Sequence, residues 1–216
     1  MRVIAIIQAR MNSSRLPGKV MMNLVNKPVL EHIIERLSYC KTIEKIVVAT
    51  TSEESDNIIE DYCKDSKIDC YRGSVEDVLD RFYNSAKIFN ADPIVRITCD
   101  CPVIDPVIVD AIVSGYLKGK YDCFGLGGKF PDGLDCTVYS FYALEKAYKE
   151  AKLKSEREHV GPYIQNNPKL FKNGCLEVFK NSEKYRWTLD EANDYELLNK
   201  IFNALYRSNS PFLTHE

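Results

Sequence analysis

A basic loop near the start of the chain is the first group of residues that could do chemistry. It follows an apolar run over residues 3–9 and carries cations among small turn-forming residues: Arg10, Asn12, Ser13, Ser14, Arg15, Gly18 and Lys19. Backbone N–H groups and cationic side chains in one loop can together neutralise several phosphate oxygens. No Ser or Thr follows Lys19, and the glycine spacing of a Walker loop is absent. The pattern therefore indicates a polyphosphate site of another type.

Two aspartates follow later apolar runs. Asp100 comes after residues 94–98, and Asp190 comes after residues 186–189. Carboxylates suit Mg²⁺, which takes oxygen ligands and is usually shared with substrate phosphates. Together with the basic loop, the two aspartates predict phosphoryl or nucleotidyl transfer. Each feature alone has a structural alternative, a solvated loop for the cations and a turn or helix cap for the aspartates.

Alternating strand and helix patterns must position these residues. We predict strands over residues 3–9, 46–50, 69–72 and 94–98, and helices over 28–37, around 58–63, from Ser74 as a capping residue, and over 106–117. This order favours an α/β fold with a doubly wound, mostly parallel, Rossmann-like sheet. Ligands of such sheets bind beyond the carboxyl ends of the strands, where the residues named above lie. His32 falls off the apolar stripe of its helix, so we expect it to be exposed.

The pattern changes from about Tyr121. Strand-like pieces over residues 122–125, 134–139 and 175–179 suggest a β-rich excursion over 121–179 within one domain spanning 1–216. A return strand over 186–189 and a helix through about Leu205 would complete the fold. The excursion holds more apolar and aromatic residues than so short a segment can bury alone. We therefore expect it to act as an arm of a homodimer, the alternative being an arm folded back on its own sheet.

Composition excludes several classes of protein. The chain has 216 residues, 45% of them hydrophobic and 28% charged, with a formal net charge of −2. These values fit one ordinary globular domain and argue against disorder, against a membrane span and against a general nucleic-acid binder. The first apolar run ends at Gln8, too early for a signal peptide. We expect a soluble, cytoplasmic protein that does not bind nucleic acid or membranes.

Eight cysteines are present without a C-x-x-C motif. Four of them replace apolar residues in hydrophobic patterns: Cys63, Cys70, Cys123 and Cys136. We interpret them as free buried thiols, with a zinc site as the alternative.

Several motifs carry a resemblance to a known family. The stretch IIQARMNSSRLPGK over residues 6–19 resembles the signature loop of the cytidylyltransferases that activate sugar acids, among them the CMP-ketodeoxyoctonate and CMP-acylneuraminate synthetases. The match extends to the group of the spore coat polysaccharide biosynthesis protein SpsF. Further similar blocks follow in order over residues 27–32, 72–81, 96–102, 130–135, 155–159 and 186–191. They cover nearly the whole chain.

The resemblance implies roles for individual residues. Catalytic and triphosphate-binding roles would fall to Arg10, Arg15 and Lys19, with nucleotide contacts from Ala9, Asn12, Ser14, Arg72, Gly73, Asp77 and Thr98. Mg²⁺ would be held by Asp100 and Asp190, and the sugar-acid acceptor by Asp132, Asp135, Glu158 and His159. The implied reaction moves CMP from CTP to a sugar acid and releases pyrophosphate, for the synthesis of a surface polysaccharide or glycan.

Two residues depart from the family pattern, and three functional hypotheses stay open. Asn12 and Cys99 stand where the family usually has glycine; Asn tolerates left-handed backbone, and a side chain at Cys99 bears on base preference. Besides the leading hypothesis, the chain could use another nucleotide or a phosphorylated acceptor such as a sugar 1-phosphate. It could also be a non-catalytic nucleotide-binding module, which would not need paired metal carboxylates.

Overall fold

A seven-stranded sheet forms the centre of the protein, whose computed structural model describes residues 2–214. The strands are β1 (Ile4–Gln8), β2 (Asn23–Leu24), β3 (Lys27–Pro28), β4 (Lys45–Thr51), β5 (Asp69–Gly73), β6 (Ile94–Thr98), β7 (Cys123–Leu126), β8 (Cys136–Tyr139) and β9 (Asn173–Leu176). Strands β2 and β3 form a separate two-stranded hairpin. The order across the main sheet is β5-β4-β1-β6-β8-β7-β9. Only β8 runs antiparallel to its neighbours, so the prediction of a mostly parallel sheet is confirmed.

Helices cover both faces of this sheet. They are α1 (Val29–Ser38), α2 (Asn57–Asp65), α3 (Val78–Phe89), α4 (Pro106–Gly119), α5 (Phe141–Glu150), α6 (Lys154–His159), α7 (Pro162–Gln165) and α8 (Ala192–Leu205). Short 3₁₀ turns occupy Lys19–Met21 and Glu54–Asp56. None of the helices in residues 2–214 has the length and apolar character that crossing a bilayer requires.

Alternation along β1 explains the two cores. Ala5 and Ile7 pack into one cluster with α1, α2, α4 and α8, whereas Ile4 and Ile6 pack into the other with α3 and α5. Successive side chains of a strand point to opposite faces, so a strand buried on both sides reads as a continuous apolar run. The central position of β1 places the end of that strand, and the basic loop after it, in the middle of the sheet.

Two local predictions were wrong. Helix α3 is capped by Asp77, whose Oδ1 accepts a hydrogen bond from the Asp80 N–H. Ser74 is not the capping residue, because its Oγ accepts a hydrogen bond from the Asp77 N–H, which lies before the helix. His32 is buried rather than exposed, with Nε2 2.6 Å from the Leu24 carbonyl oxygen and its ring against Phe202. The apolar stripe of α1 does not include His32, but helix α8 packs against that side of α1 and buries the residue.

Residues 121–179 join the main sheet. The segment supplies β7, β8 and β9, together with three helices, and β8 inserts between β6 and β7. Phe124, Val138 and Tyr139 are buried in the protein's own two cores, so they do not need a second copy for burial. Residues 186–189 form no strand; Arg186 makes one isolated bridge to Asp132.

Candidate active site

A cleft of about 350 Å³ opens at the carboxyl ends of β1 and β6. Nine of the side chains singled out from the sequence line it: Arg10, Ser14, Arg15, Lys19, Thr98, Asp100, Glu158, His159 and Asp190. Strands β1 and β6 pair in parallel, with Gln8 opposite Thr98, so the residues that follow each strand emerge side by side. The predicted position of the site at this edge of the sheet is where the structure has a cleft.

A buried carboxylate that sequence analysis missed holds the basic loop in place. Asp56 accepts hydrogen bonds from the Met11 N–H at 2.7 Å and from the hydroxyls of Thr50 and Thr51 at 3.0 and 2.5 Å. It is fully buried, and removing it would leave several donors without an acceptor. The loop is therefore tied to the end of the neighbouring strand β4 rather than free in solvent.

The loop ends in a left-handed residue that leads into Lys19. Gly18 has φ of 74°, a conformation that L side chains rarely adopt, and its N–H donates to the Met11 carbonyl at 2.8 Å. Lys19 begins the 3₁₀ turn that follows and is only 9% exposed. The turn thereby directs a buried ammonium group toward the cleft.

Lys19 joins the two candidate metal carboxylates. Its Nζ lies 2.7 Å from Asp190 Oδ1 and 3.6 Å from Asp100 Oδ2, and it donates to the Leu189 carbonyl at 2.8 Å. Arg15 contacts the other oxygen of Asp190 at 2.8 Å. Burial alone would raise the pKa of Asp190, but the hydrogen bond from Lys19 and the charges of Lys19 and Arg15 hold that pKa below its usual value.

The segment that carries Asp190 is held by backbone contacts to the turn after β6. The Asp100 carbonyl accepts from the Leu189 N–H at 2.7 Å and from the Thr188 hydroxyl at 3.1 Å. On the other side, a Cβ atom at Gly133 would lie 2.5 Å from the Trp187 carbonyl carbon, so no larger residue fits there without a shift. These contacts bring chain segments about residues 100, 133 and 190 together at one end of the cleft.

Two of the predicted acceptor ligands lie beside this acidic end but not in the cleft wall. Asp132 pairs with Arg186 at 2.6 Å, and Arg186 also contacts Asp194 at 3.1 Å. Partial burial and the charges of Asp100 and Asp190 raise the pKa of Asp132, against the opposing charge of Arg186. Burial, together with Asp132 and Asp100, likewise raises the pKa of Asp135. Both carboxylates are thus within electrostatic range of Asp100.

The other predicted acceptor ligands come from α6 at the opposite end. Glu158 and His159 line the cleft, and Arg157 before them ties α6 to the start of α3. Arg157 donates through Nε at 2.8 Å and through Nη2 to Asp77 Oδ2, and through Nη1 to the Tyr148 carbonyl at 2.7 Å. Asp77, which the resemblance assigns to the nucleotide, is occupied here as helix cap and ion-pair partner.

Four other residues that the resemblance assigns to the nucleotide lie outside the cleft wall. Arg72 donates to the carbonyls of Thr51 and Glu53 and pairs with Glu60, while Gly73 beside it packs under Tyr71. Ala9 is buried, and its N–H donates to a β4 carbonyl. Asn12 is exposed and donates to Glu53 at 2.6 Å. Asn12 does not have a positive φ, so the left-handed backbone expected there is not required.

Five residues in the cleft wall were not assigned a site role from the sequence: Gln8, Ser13, Val20, Val78 and Arg96. Arg96 was detectable, because it is the one charged residue in the otherwise apolar run Ile94–Thr98 of a central strand. A charge inside such a strand is costly unless it meets a partner or a ligand. Cys99 also lines the cleft, and burial raises the pKa of its thiol, which stays neutral.

The two carboxylates that contact Lys19 could hold a divalent cation. They face one ammonium group, so the position between them already accommodates a positive charge. Among residues 2–214 no three His, Cys, Asp or Glu side chains form a metal-binding group. A cation here would therefore have two protein ligands and would need further oxygens from a phosphate or water, which is how Mg²⁺ is commonly bound.

Comparison with known proteins finds relatives over most of the chain. The family profile described as cytidylyltransferase matches residues 4–211. Spore coat polysaccharide biosynthesis protein SpsF from Bacillus subtilis (strain 168) is 32% identical over 214 residues, covering 93% of this chain and 86% of that protein. The 3-deoxy-manno-octulosonate cytidylyltransferase of Geobacter metallireducens is 29% identical over 114 residues, 53% of this chain and 44% of that protein.

A solved structure shows the same fold over almost the whole chain. A cytidylyltransferase from Leptospira borgpetersenii serovar Hardjo-bovis is 35% identical and superposes with a TM-score of 0.92, covering 98% of this chain and 90% of that one. The family profile likewise spans both halves of the sheet and every element that contributes to the cleft. The resemblance seen in the motifs is thus confirmed, and the chain belongs to the cytidylyltransferase family.

Proposed function

We propose that this enzyme transfers CMP from CTP to a sugar acid in a Mg²⁺-dependent reaction that releases pyrophosphate. The observation that carries the proposal is the convergence of Lys19 on both Asp100 and Asp190 at the carboxyl end of the sheet. One basic loop and two carboxylates in a single cleft supply what nucleotidyl transfer needs, namely neutralisation of a triphosphate and a place for a divalent cation.

The basic loop would bind the triphosphate. Arg10 has no hydrogen bond or ion pair within residues 2–214, and it lies in the cleft wall with Ser14. Arg15 and Lys19 would exchange Asp190 for phosphate oxygens when the nucleotide arrives. Arg72, Gly73, Asp77 and Thr98 remain assigned to base and ribose by resemblance; of these, Thr98 lines the cleft.

The reaction would be an in-line displacement at the α-phosphorus. An acceptor hydroxyl oxygen attacks the α-phosphorus, and the bond to the bridging oxygen of the pyrophosphate breaks. Bound Mg²⁺ would supply charge neutralisation on the phosphate oxygens. Lys19 and Arg15 would stabilise the negative charge that builds on the α-phosphate and on the departing pyrophosphate. No protein nucleophile is required, and the cleft offers none in a Ser-His-Asp or Cys-His arrangement within the described residues.

The acceptor would lie between α6 and the acidic end of the cleft. Carboxylates of Asp132 and Asp135, beside the acidic end, accept bonds from sugar hydroxyls well, and Glu158 and His159 line the cleft from α6. The product would be a nucleotide-activated sugar acid for surface polysaccharide synthesis, in line with the name of the SpsF relative. We propose a cytoplasmic site of action with these small molecules as partners.

A second candidate keeps the chemistry and changes the substrates. The neutral Cys99 side chain, where glycine is usual in the family, lies in the cleft wall and could alter base preference. A phosphorylated acceptor would also find cations in the cleft. A matrix of four nucleoside triphosphates against sugar acids and sugar 1-phosphates, read by pyrophosphate release and mass spectrometry of the product, separates these cases.

The same assay tests the metal. Removal of divalent cations with a chelator should abolish pyrophosphate release, and added Mg²⁺ should restore it. Activity with CTP and a sugar acid but no loss on chelation would contradict the metal assignment alone. Activity confined to another nucleotide or to a sugar 1-phosphate would replace the leading proposal with the second candidate.

We further propose a homodimer formed through residues 121–179. The segment exposes large apolar side chains, with Tyr142, Leu153 and Leu170 each about half or more exposed. Contact between two copies would cover them and could place one copy's 132–135 loop near the acceptor pocket. Light scattering during size-exclusion chromatography decides this: a mass near 24.8 kDa at micromolar protein would contradict the dimer.

A further inference from the structure

Arg96 is a cation in the cleft wall that the proposed roles do not use. It lies in the middle of β6, opposite Ile6 of β1 and Thr137 of β8, among buried apolar neighbours. Its side chain is half-buried and lines the cleft on the same face as Gln8 and Thr98. A charged side chain in a central strand is unfavourable for folding, so its presence calls for a partner.

The guanidinium of Arg96 has few hydrogen-bond partners in the folded chain. A guanidinium has five N–H donors, yet within residues 2–214 the side chain of Arg96 makes one hydrogen bond, from Nη2 to Gln8 Oε1 at 3.4 Å. Its Nε is buried with no partner. The buried Arg36 differs, since it donates to the carbonyls of Ile104, Val103 and Phe212. Arg81 also has buried guanidinium nitrogens without a partner, Nε and Nη2, but of these two arginines it is Arg96 that lines the cleft.

No carboxylate of the described chain pairs with Arg96, whereas Lys19 and Arg15 in the same cleft are paired with Asp190. The guanidinium carbon lies 6.0 Å from the ring centre of Phe82, an aromatic neighbour that accepts no conventional hydrogen bond from its N–H groups. Asp135 is near enough for the charge of Arg96 to oppose the rise that burial causes in the pKa of its carboxyl group. An anion bound at Arg96 would therefore sit close to a carboxylate suited to hydroxyl groups.

We propose that Arg96, with Gln8 beside it, binds the carboxylate of the sugar-acid acceptor and selects for acids over neutral sugars. This assignment rests on the proposed function, because it concerns the acceptor of that reaction. A planar guanidinium fork matches a planar carboxylate, and its unpaired N–H groups are then satisfied by the ligand. The amide of Gln8 can donate a further hydrogen bond to the same carboxylate.

The main alternative ligand for this cation is the phosphate of a phosphorylated acceptor. A carboxylate is favoured, because Asp135 lies near Arg96 and would repel a dianionic phosphate more strongly than a carboxylate with one charge. Hydroxyl groups next to a carboxylate, as in a sugar acid, match the pairing of Arg96 with Asp135. The substrates of the test distinguish the two ligands.

The test measures steady-state kinetics with CTP and 3-deoxy-manno-octulosonate or an acylneuraminate for wild type, Arg96→Gln and Arg96→Lys. Arg96→Gln should raise the acceptor KM at least about tenfold and leave the CTP KM within about twofold, with Arg96→Lys in between. Arg207→Gln is the matched control, because Arg207 is exposed and its side chain, within residues 2–214, bonds to the Tyr206 carbonyl alone. It should match wild type.

An acceptor analogue without the carboxylate makes the test specific. Wild type should discriminate against the analogue whose carboxylate is replaced by a primary alcohol. Arg96→Gln should lose most of that discrimination, because it lacks the guanidinium that binds the carboxylate. Retention of the full preference for the acid by Arg96→Gln would overturn the proposal. Direct titration of CTP into Arg96→Gln shows whether the variant is folded, because nucleotide binding should persist.

Failure of this inference differs from failure of the proposed function. A wild-type enzyme that uses no sugar acid with any nucleotide would overturn the function and the role of Arg96 together. A wild-type enzyme that uses a sugar acid, with Arg96→Gln affecting the CTP KM instead, would overturn only the role of Arg96. Turnover of a sugar 1-phosphate that depends on Arg96 would assign the residue to a phosphate and contradict the carboxylate assignment.

Discussion

Lys19 and Asp190 are 171 residues apart in the sequence, and their side chains meet at 2.7 Å in the candidate active site. The contact joins the loop after the first strand to the segment before the last helix. In the absence of nucleotide, the ammonium that would stabilise the triphosphate neutralises a carboxylate that would hold the metal. Substrate binding must therefore exchange this pairing for contacts to phosphate and cation.

This pairing should stabilise the free enzyme. Asp190→Asn removes the charged partner of a largely buried ammonium, so we expect a loss of about 1–3 kcal/mol in the free energy of unfolding at pH 7. The pKa of Asp190 is lowered from 3.8 in the folded state, so its contribution is present above about pH 3.8 and is lost as the pH falls below that value. Urea unfolding at several pH values measures it.

The control for that experiment is Asp61→Asn, at an exposed position of α2. It should unfold like wild type at every pH. An Asp190→Asn variant as stable as wild type at pH 7 would show that Leu189 and Asp100 satisfy Lys19 without it.

Loss of either candidate metal ligand should nearly abolish turnover. Asp100→Asn and Asp190→Asn each keep the side-chain shape and remove the charge that Mg²⁺ requires. We expect each to retain less than about a tenth of the wild-type kcat, with the double variant little worse than either one, because both would serve one ion. Pyrophosphate release at saturating CTP is the measurement. Retention of more than a tenth by Asp100→Asn would remove it from the principal ligands.

Lys19→Ala should affect catalysis more than nucleotide affinity. Charge builds at the α-phosphate and the leaving pyrophosphate during the reaction, so the ammonium contributes most in the transition state. We expect a fall in kcat exceeding the rise in CTP Kd, measured by single-turnover kinetics and titration. Lys200→Ala, at an exposed position of α8, is the control. Normal activity of Lys19→Ala would contradict the site.

The ion pair between Arg157 and Asp77 should position the acceptor-binding helix. Arg157→Gln would release α6 from α3, so the acceptor KM should rise by about three- to tenfold while the CTP KM stays near wild type. Asp77→Asn distinguishes two roles. An effect on the acceptor KM alone makes Asp77 a positioning residue for α6, whereas an effect on the CTP KM supports the nucleotide contact that the resemblance implies.

Buried His32 should make stability pH-dependent near neutrality. Burial lowers its pKa below 6.5, so the folded state disfavours the protonated ring. The stability is present in full above about pH 6.5 and falls as the pH drops below that value. Tm should therefore decrease between pH 7.5 and 5.5 for wild type and for His159→Gln, and decrease less for His32→Gln. Equal slopes in all three proteins would exclude His32 as the cause.

The sequence by itself determined the elements and the chemistry of the site. Strands such as Ile94–Thr98 and helices such as Pro106–Gly119 lie close to their predicted bounds, because hydrophobic periodicity and capping are local properties. The rule that ligands bind beyond the strand ends then placed Lys19, Asp100 and Asp190 in one cleft. Parallel pairing of β1 with β6 makes that inference possible without knowing any side-chain contact.

Tertiary structure decided which side chains are free to act. Arg72 and Asp77 lie in motifs as clear as that of Lys19, yet in the folded chain they bond to Glu60 and Arg157. His32 is buried because α8 returns across α1, and residues 121–179 enter the sheet because β8 pairs antiparallel with β6. Partners so distant in sequence leave no trace in local periodicity. The sequence shows Arg96 as a charge in an apolar strand, but only the folded chain shows that its buried Nε has no partner and that its side chain lines the cleft.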